Sequence, residues 1–123
     1  TSIGPFEFFL NKPRSITSLK TLDKIKIAVG YSNGKMHIIN LETRQSLKPF
    51  QQGTRINDLE VYMNGTQLFS VAFGDIFLRR WNSLNGSLIS SISLIGFNGV
   101  CLKLINNNRL AVGLSNFRIS IYE

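Results

Sequence analysis

The sequence predicts an all-β chain of three stacked, four-stranded units, and three observations carry that prediction. Residues 18–40 and 101–123 repeat one pattern. Leu19-Lys20 falls on Leu102-Lys103, Ala28-Val29-Gly30 on Ala111-Val112-Gly113, and Ser32-Asn33 on Ser115-Asn116, each 83 positions on. A third copy lies between them, because Ile39, Trp81 and Tyr122 close equivalent strand patterns at successive steps of 42 and 41 residues. Finally, short β-branched and aromatic runs alternate with polar residues and are punctuated by Gly, Asn and Pro, a strand signature without a helical stripe. A unit of about 40 residues does not bury its own apolar faces and must stack on its neighbours.

The elements follow in order. Unit one reads as strands over 16–22 and 25–30, a turn at Ser32-Asn33-Gly34, and strands over 36–41 and 46–50. Unit two has strands over 56–62, 67–73, 77–82 and 88–94, with turns at Asn64-Gly65 and Gly74-Asp75. Asn-Gly and Gly-Asp pairs supply the positive φ angles that tight turns require. Unit three has three strands only, over 100–105, 109–114 and 117–122. The aromatic run Phe6–Leu10, ahead of the loop 11–14, is the remaining strand candidate. One, four, four and three make twelve, the number a ring leaves when its first strand pairs with its last sheet. The chain therefore divides into a closing strand and loop (1–14), unit one (15–54), unit two (55–97) and unit three (98–123), all within a single repeat domain.

Composition narrows the class. With 123 residues, 43% apolar and 17% charged, the chain is expected to fold as one globular domain rather than remain disordered. No run reaches the roughly 20 apolar residues of a membrane helix. The apolar start, broken by Pro5 and Glu7, has no basic n-region or cleavage-like site, so no secretory leader is expected. An intracellular protein, cytoplasmic or nuclear, is the expectation. A chain from Thr1 to Glu123 also fits an excised portion of something longer. The single cysteine, Cys101, excludes an internal disulfide, and it is expected to be a small core or channel-lining residue. The triplets Asn64-Gly65-Thr66 and Asn85-Gly86-Ser87 are glycosylation acceptors in form, but turn chemistry alone accounts for both.

The stretch Tyr62-Met63-Asn64-Gly65-Thr66-Gln67-Leu68, followed by Asp75-Ile76-Phe77-Leu78-Arg79-Arg80-Trp81-Asn82, resembles a WD40 repeat. Residues 33–40 and 116–123 fit the same frame, and the resemblance covers nearly all of 15–123. It implies a β-propeller of WD40-like four-stranded blades. The motifs are degraded, with Trp-Asp appearing as Ile39-Asn40, Trp81-Asn82 and Tyr122-Glu123. No Gly-His pair precedes a blade, and the only histidine, His37, lies on a third strand. The family's His-Asp-Ser-Trp hydrogen-bond network is therefore not expected in its usual form. Three blades leave two open flanks. Closure by a two-fold dimer, closure by blades from elsewhere, and a different β architecture all remain open.

Catalysis has little support. Seven acidic residues, one His and one Cys form no ligand or nucleophile pattern, so no enzyme activity, metal or cofactor is expected. Charge is more informative, because a net +7 favours anionic partners. In the frame that the resemblance implies, one loop face or its rim carries Lys12, Arg14, Lys35, Lys48, Arg55 and Arg118, opposed mainly by Asp75. The other face, with Asp23, Lys24, Glu42 and Arg44, is near neutral. The binding candidates are Lys12, Arg14, Lys35, Arg55 and Arg118, while Asp75, Arg80 and Trp81 are structural candidates. Phe50 and Phe117 are expected to pack at blade ends.

Arg80 occupies the slot of Ile38 and Ile121 and is expected either to pair with Asp58 or Asp75 or to reach outward over Trp81. His37, in the slot of Arg79 and Ser120, is expected to face outward or between blades. The functional expectation, from the resemblance, is a non-catalytic scaffold that docks a protein or peptide partner, with the net positive charge favouring an acidic one, as a homodimer or with further blades. The alternative is nucleic-acid or anionic-lipid binding by the basic face.

Overall fold

The computed structural model describes residues 15–47 and 49–123, and within them strands build three antiparallel sheets with no helix. Blade 1 holds β1 (Ile16–Thr21), β2 (Lys26–Tyr31), β3 (Lys35–Asn40) and β4 (Phe50–Gln51) in sequence order. Blade 2 holds β5 (Arg55–Tyr62), β6 (Gln67–Phe73), β7 (Phe77–Asn82) and β8 (Leu88–Ser93). Blade 3 holds β9 (Gly99–Asn106), β10 (Arg109–Leu114) and β11 (Ile119–Tyr122). The expected strand over Phe6–Leu10 lies outside the described residues.

Two elements differ from the sequence reading. The last strand of blade 1, expected over 46–50, is an isolated bridge between Ile39 and Ser46 followed by the two-residue β4. Arg44 takes a φ of 60° just before it, and Pro49 has no N–H to give to a ladder. The last strand of blade 3 starts at Ile119 rather than Phe117, because Phe117 adopts a φ of 66° and turns the chain instead of extending it.

Period-two alternation turns each sheet into two packing faces. Ala28, Met36, Ile38 and Phe50 of blade 1 are buried against Ile56, Leu59, Leu68, Ala72 and Trp81 of blade 2. The opposite face of blade 2, through Phe69, Val71 and Leu78, packs on Leu102, Leu110 and Val112 of blade 3. Each of the larger side chains contributes about 2 kcal/mol of apolar transfer, and each alanine less. Glycine permits the closest approaches. A Cβ on Gly30 would sit 2.5 Å from Ile56 Cγ2 and 2.6 Å from Ser18 Oγ, and one on Gly99 would overlap Val71 Cγ1.

Carboxylates on β5 bind the edge of β9. The Leu102 N–H donates to Asp58 Oδ2 at 2.8 Å and the Leu104 N–H to Glu60 Oε2 at 3.0 Å. Asn57 Nδ2 adds a bond to the Gly99 carbonyl at 2.8 Å. Three successive sheets thus stand side by side on their first strands without closing into a ring. On the far side of blade 3, Ile119 and Ile121 remain 73% and 50% exposed. Cys101 is exposed on β9, opposite Gly113, rather than in the core.

Candidate docking face on the loops

Five loops meet at one end of the sheets, and hydrogen bonds stitch them into a continuous surface. The Gln52 N–H donates to the Gly34 carbonyl at 2.8 Å, and Gln51 Nε2 to the Asn33 carbonyl at 2.8 Å. These join the β2–β3 turn to the β4–β5 loop. Thr54 then donates through N–H and Oγ1 to the Phe73 carbonyl at 2.9 and 3.0 Å. Asn98 completes the row, with Oδ1 accepting the Gly74 N–H and its carbonyl accepting the Ser115 N–H, each at 3.0 Å.

A buried polar network underpins the centre of this face. Trp81 Nε1–H donates to Ser70 Oγ at 2.7 Å, and the Ser70 hydroxyl donates to Gln52 Oε1. Gln52 Nε2 donates to the Phe77 carbonyl at 3.1 Å. All three residues are buried, so each polar atom depends on its partner. Sequence reasoning missed this network because it sought a histidine. The structure assembles it with Gln52, the residue before Gly53, carrying the amide that links Ser70 to the loop. Trp81 also packs on Phe50, with ring centroids 4.9 Å apart, and Phe50 is buried at the blade end as expected.

Asp75 is buried in the β6–β7 turn, where it accepts the Phe77 N–H at 3.2 Å and Arg79 Nε at 2.6 Å. Arg79 lies over the Phe77 ring at 5.3 Å and donates to Ser91 Oγ at 3.0 Å. The expected pairing of Arg80 with Asp58 or Asp75 is therefore absent. Asp75 takes Arg79, one residue earlier and on the opposite face of the strand, while Asp58 binds backbone N–H groups of Leu59 and Leu102.

The solvent side of these loops is unexpectedly apolar. Phe73 is 60% exposed, Ile76 43%, Ile95 84% and Phe117 102%. Phe117, expected to pack at a blade end, instead projects fully into water. Ile95 and Phe117 hold φ angles of 58° and 66°, and a β-branched residue in that region is strained by about 1 kcal/mol or more. The β-strand alternation gives no warning of this, since both residues lie in turns. Lys35, Arg55 and Arg118 stand on the same face, all exposed, and none forms an ion pair with a described residue. Lys12, Arg14 and Lys48 lie outside the described residues.

His37 is half-buried on blade 1. Its Nδ1 lies 3.1 Å from the Tyr31 hydroxyl, and the two rings meet edge to face at 5.3 Å. Burial, and then the Lys35 ammonium, lower its pKa, while burial raises that of Tyr31. Among the described residues no three His, Cys, Asp or Glu side chains are grouped to hold a metal ion. Among the described residues no helix is long and apolar enough to cross a membrane.

No protein-family model and no curated protein sequence matches the chain. Solved structures do match its fold. The WD40 β-propeller domain of Doa1 superposes with a TM-score of 0.78 and 20% identity, covering 88% of this chain and 36% of that one. The β-propeller domain of Cps50 (Swd1) from Myceliophteria thermophila gives a TM-score of 0.76 and 18% identity, covering 89% and 36%. The chain thus spans about a third of the length of either domain. Three consecutive four-, four- and three-stranded antiparallel sheets, stacked on their first strands, make this chain an open, three-blade segment with the WD40 β-propeller fold.

Proposed function

We propose that the chain is a non-catalytic interaction scaffold whose loop face docks an apolar, acidic segment of a protein partner. One observation carries this reading: Phe73, Ile76, Ile95 and Phe117 are exposed together on loops that are hydrogen-bonded to one another. An apolar cluster rimmed by polar residues marks an interaction site on a water-soluble surface. Lys35, Arg55 and Arg118 on the same face favour an acidic partner. The stitched loops reduce the ordering cost of binding. The open flank of blade 3 favours completion of the ring by a second copy or by further blades, and light scattering on the purified chain separates a dimer from a monomer.

Selection of binders from a random dodecapeptide library tests the docking reading. Enriched peptides are expected to combine aromatic or aliphatic residues with Asp or Glu. Their binding should fall at least tenfold in Phe117→Ser and in Arg118→Glu, with little response to Asp23→Lys on the opposite loops. Peptides that bind these loop variants as well as they bind the parent would refute the assignment.

A second reading, binding of nucleic acid or anionic lipid, gains from the same aromatics, since exposed Phe73 and Phe117 could stack on bases beside Arg55 and Arg118. The aliphatic Ile76 and Ile95 weigh against it. Salt distinguishes the two: a phosphate complex weakens by orders of magnitude between 50 and 200 mM salt, whereas an apolar peptide dock changes little.

A further inference from the structure

Four Asn-Gly pairs occur in the chain, at 33–34, 64–65, 85–86 and 98–99. In this dipeptide the glycine nitrogen can attack the side-chain amide before it, because glycine has no side chain to crowd the approach and rotates freely in φ. The attack requires the peptide unit between the two residues to turn until the nitrogen faces Asn Cγ. A hydrogen bond to that unit, or to the side-chain amide, opposes the turn, since it must be broken first.

Three of the pairs are held on both counts. The Gly34 N–H donates to the Tyr31 carbonyl at 3.1 Å, the Asn33 carbonyl accepts Gln51 Nε2 at 2.8 Å, and Asn33 Oδ1 accepts the Lys35 N–H at 3.1 Å. The Gly86 N–H donates to the Asn82 carbonyl at 2.8 Å, while Asn85 Oδ1 accepts the Ser87 N–H at 2.9 Å and the Ser87 hydroxyl at 2.7 Å. Asn98 is bonded through its carbonyl to the Ser115 N–H and through Oδ1 to the Gly74 N–H, each at 3.0 Å.

The fourth pair is free. Asn64 is exposed in the β5–β6 turn. Among the described residues its side-chain amide, its carbonyl and the Gly65 N–H form no hydrogen bond. The turn is closed around them instead, by the Thr66 N–H and hydroxyl, which donate to the Met63 carbonyl at 3.1 and 2.7 Å. Immediately beyond, the chain is pinned. Gly65 is buried, and a Cβ on it would overlap the Leu22 carbonyl oxygen of blade 1. Its own carbonyl accepts the Ser83 hydroxyl, and the Thr66 carbonyl accepts the Ser83 N–H at 3.0 Å.

We propose that Asn64 is a site of spontaneous covalent modification, where the Gly65 nitrogen closes a cyclic imide that water reopens to aspartate or isoaspartate. The Gly65 nitrogen gives its proton to solvent and bonds to Asn64 Cγ. The Cγ–Nδ2 bond breaks, and Nδ2 takes up a proton and leaves as ammonia. Water then adds to one imide carbonyl and breaks that carbon's bond to the Gly65 nitrogen. Opening at Cγ leaves aspartate, whereas opening at the main-chain carbonyl leaves isoaspartate, with the chain rerouted through the side chain. Both products place a carboxylate in the turn. Isoaspartate also lengthens the main chain just ahead of the pinned Gly65, so it strains the Ser83 bonds and the contact with Leu22 between blades 1 and 2. The turn lies at the opposite end of the strands from the loop face, and the proposal is independent of the docking reading.

The intact chain and the same chain in concentrated urea are incubated side by side at mildly alkaline pH. Both are then digested and mapped by mass spectrometry, with fragment spectra that assign each site and tell aspartate from isoaspartate. In the folded chain Asn64 is expected to lose ammonia at least tenfold faster than Asn33, Asn85 or Asn98, and to yield both acids. In urea the shielding bonds are gone, and the four rates should converge. The melting temperature of the stored parent should drift downward. That of Asn64→Gln, whose longer side chain closes a larger ring more slowly, should hold at its own starting value. Asn64 reacting no faster than any one of the other three in the folded chain, aspartate as its sole product, or the same drift in Asn64→Gln would each overturn the proposal.

Discussion

Removing the Ser70 hydroxyl tests the buried network under the loop face. Ser70 is fully buried, and its Oγ accepts from Trp81 Nε1 at 2.7 Å while donating to Gln52 Oε1. In Ser70→Ala both partners stay where they are, at 6% and 2% exposure, with no route to water. Each orphaned buried group costs about 1–3 kcal/mol, partly offset because the hydroxyl itself no longer needs desolvation. The expected loss is about 3 kcal/mol, or roughly 10 °C in melting temperature for a domain of this size. Urea denaturation of Ser70→Ala, Trp81→Phe and the double variant measures it. Phenylalanine has no N–H to orphan, so Ser70→Ala should cost about 1 kcal/mol less in the Trp81→Phe background. A Ser70→Ala cost below about 1 kcal/mol, or strict additivity of the two changes, would show that the network does not hold the junction as argued.

Three further outcomes are expected. Asp58→Ala removes the acceptor of the Leu59 and Leu102 N–H groups and should cost about 2 kcal/mol, with faster hydrogen exchange at the Leu102 amide as the local readout. Gly99→Ala drives a methyl into Val71 and should cost about 1–3 kcal/mol of overpacking, read as a lower urea midpoint. His37 is held below its ordinary pKa of 6.5 by burial and then by Lys35, with the Tyr31 hydroxyl beside it. The unfolded chain therefore takes up that proton first as pH falls. Stability from this site is complete above about pH 6.5 and declines below it, so the urea midpoint should drop between pH 7.5 and 5.5 in the parent and stay flatter in His37→Phe.

The strand framework was legible because it depends on local alternation. β6, β7 and β10 run over the very residues the pattern marks, and the burial of Phe50 at its blade end follows from the same periodicity. What escaped depends on contacts between sheets or on turn conformation. Gln52 does not look like a substitute for histidine until Ser70 and Trp81 converge on it through register. Arg80 was expected to find Asp58 or Asp75, yet Asp75 turns to Arg79 because both lie on the other side of the strand from Arg80. Phe117 reads as the first residue of a strand, but its left-handed backbone ends that pattern and sends the ring into solvent. Cys101 belongs to the repeat shared with blade 1, and only the openness of blade 3 leaves it exposed.

The repeat is regular in backbone and unequal in chemistry, and that inequality orders the molecule. The register that aligns Ile39, Trp81 and Tyr122 also aligns Val29, Ser70 and Val112 two residues beyond their partners on the second strands. Among the described residues, therefore, the central blade alone pairs a hydroxyl with an indole, and the loop at Gln52 is tied down by that buried network. The junction between blades 2 and 3 is held differently, through Asp58, Glu60 and Asn57 along the inner strands and Asn98 between the turns. These bonds lie at the inner edge and at the loop end, and at the opposite end the Tyr62 hydroxyl donates to the Asn107 carbonyl at 3.0 Å. Ile95 and Phe117, the most exposed apolar residues of the loop face, and Arg80, whose Nε is buried without a hydrogen-bond partner among the described residues, all belong to this side. Blade 3 carries Tyr122 and Val112 where blade 2 carries Trp81 and Ser70, so the two junctions of one repeated backbone are held by different bonds.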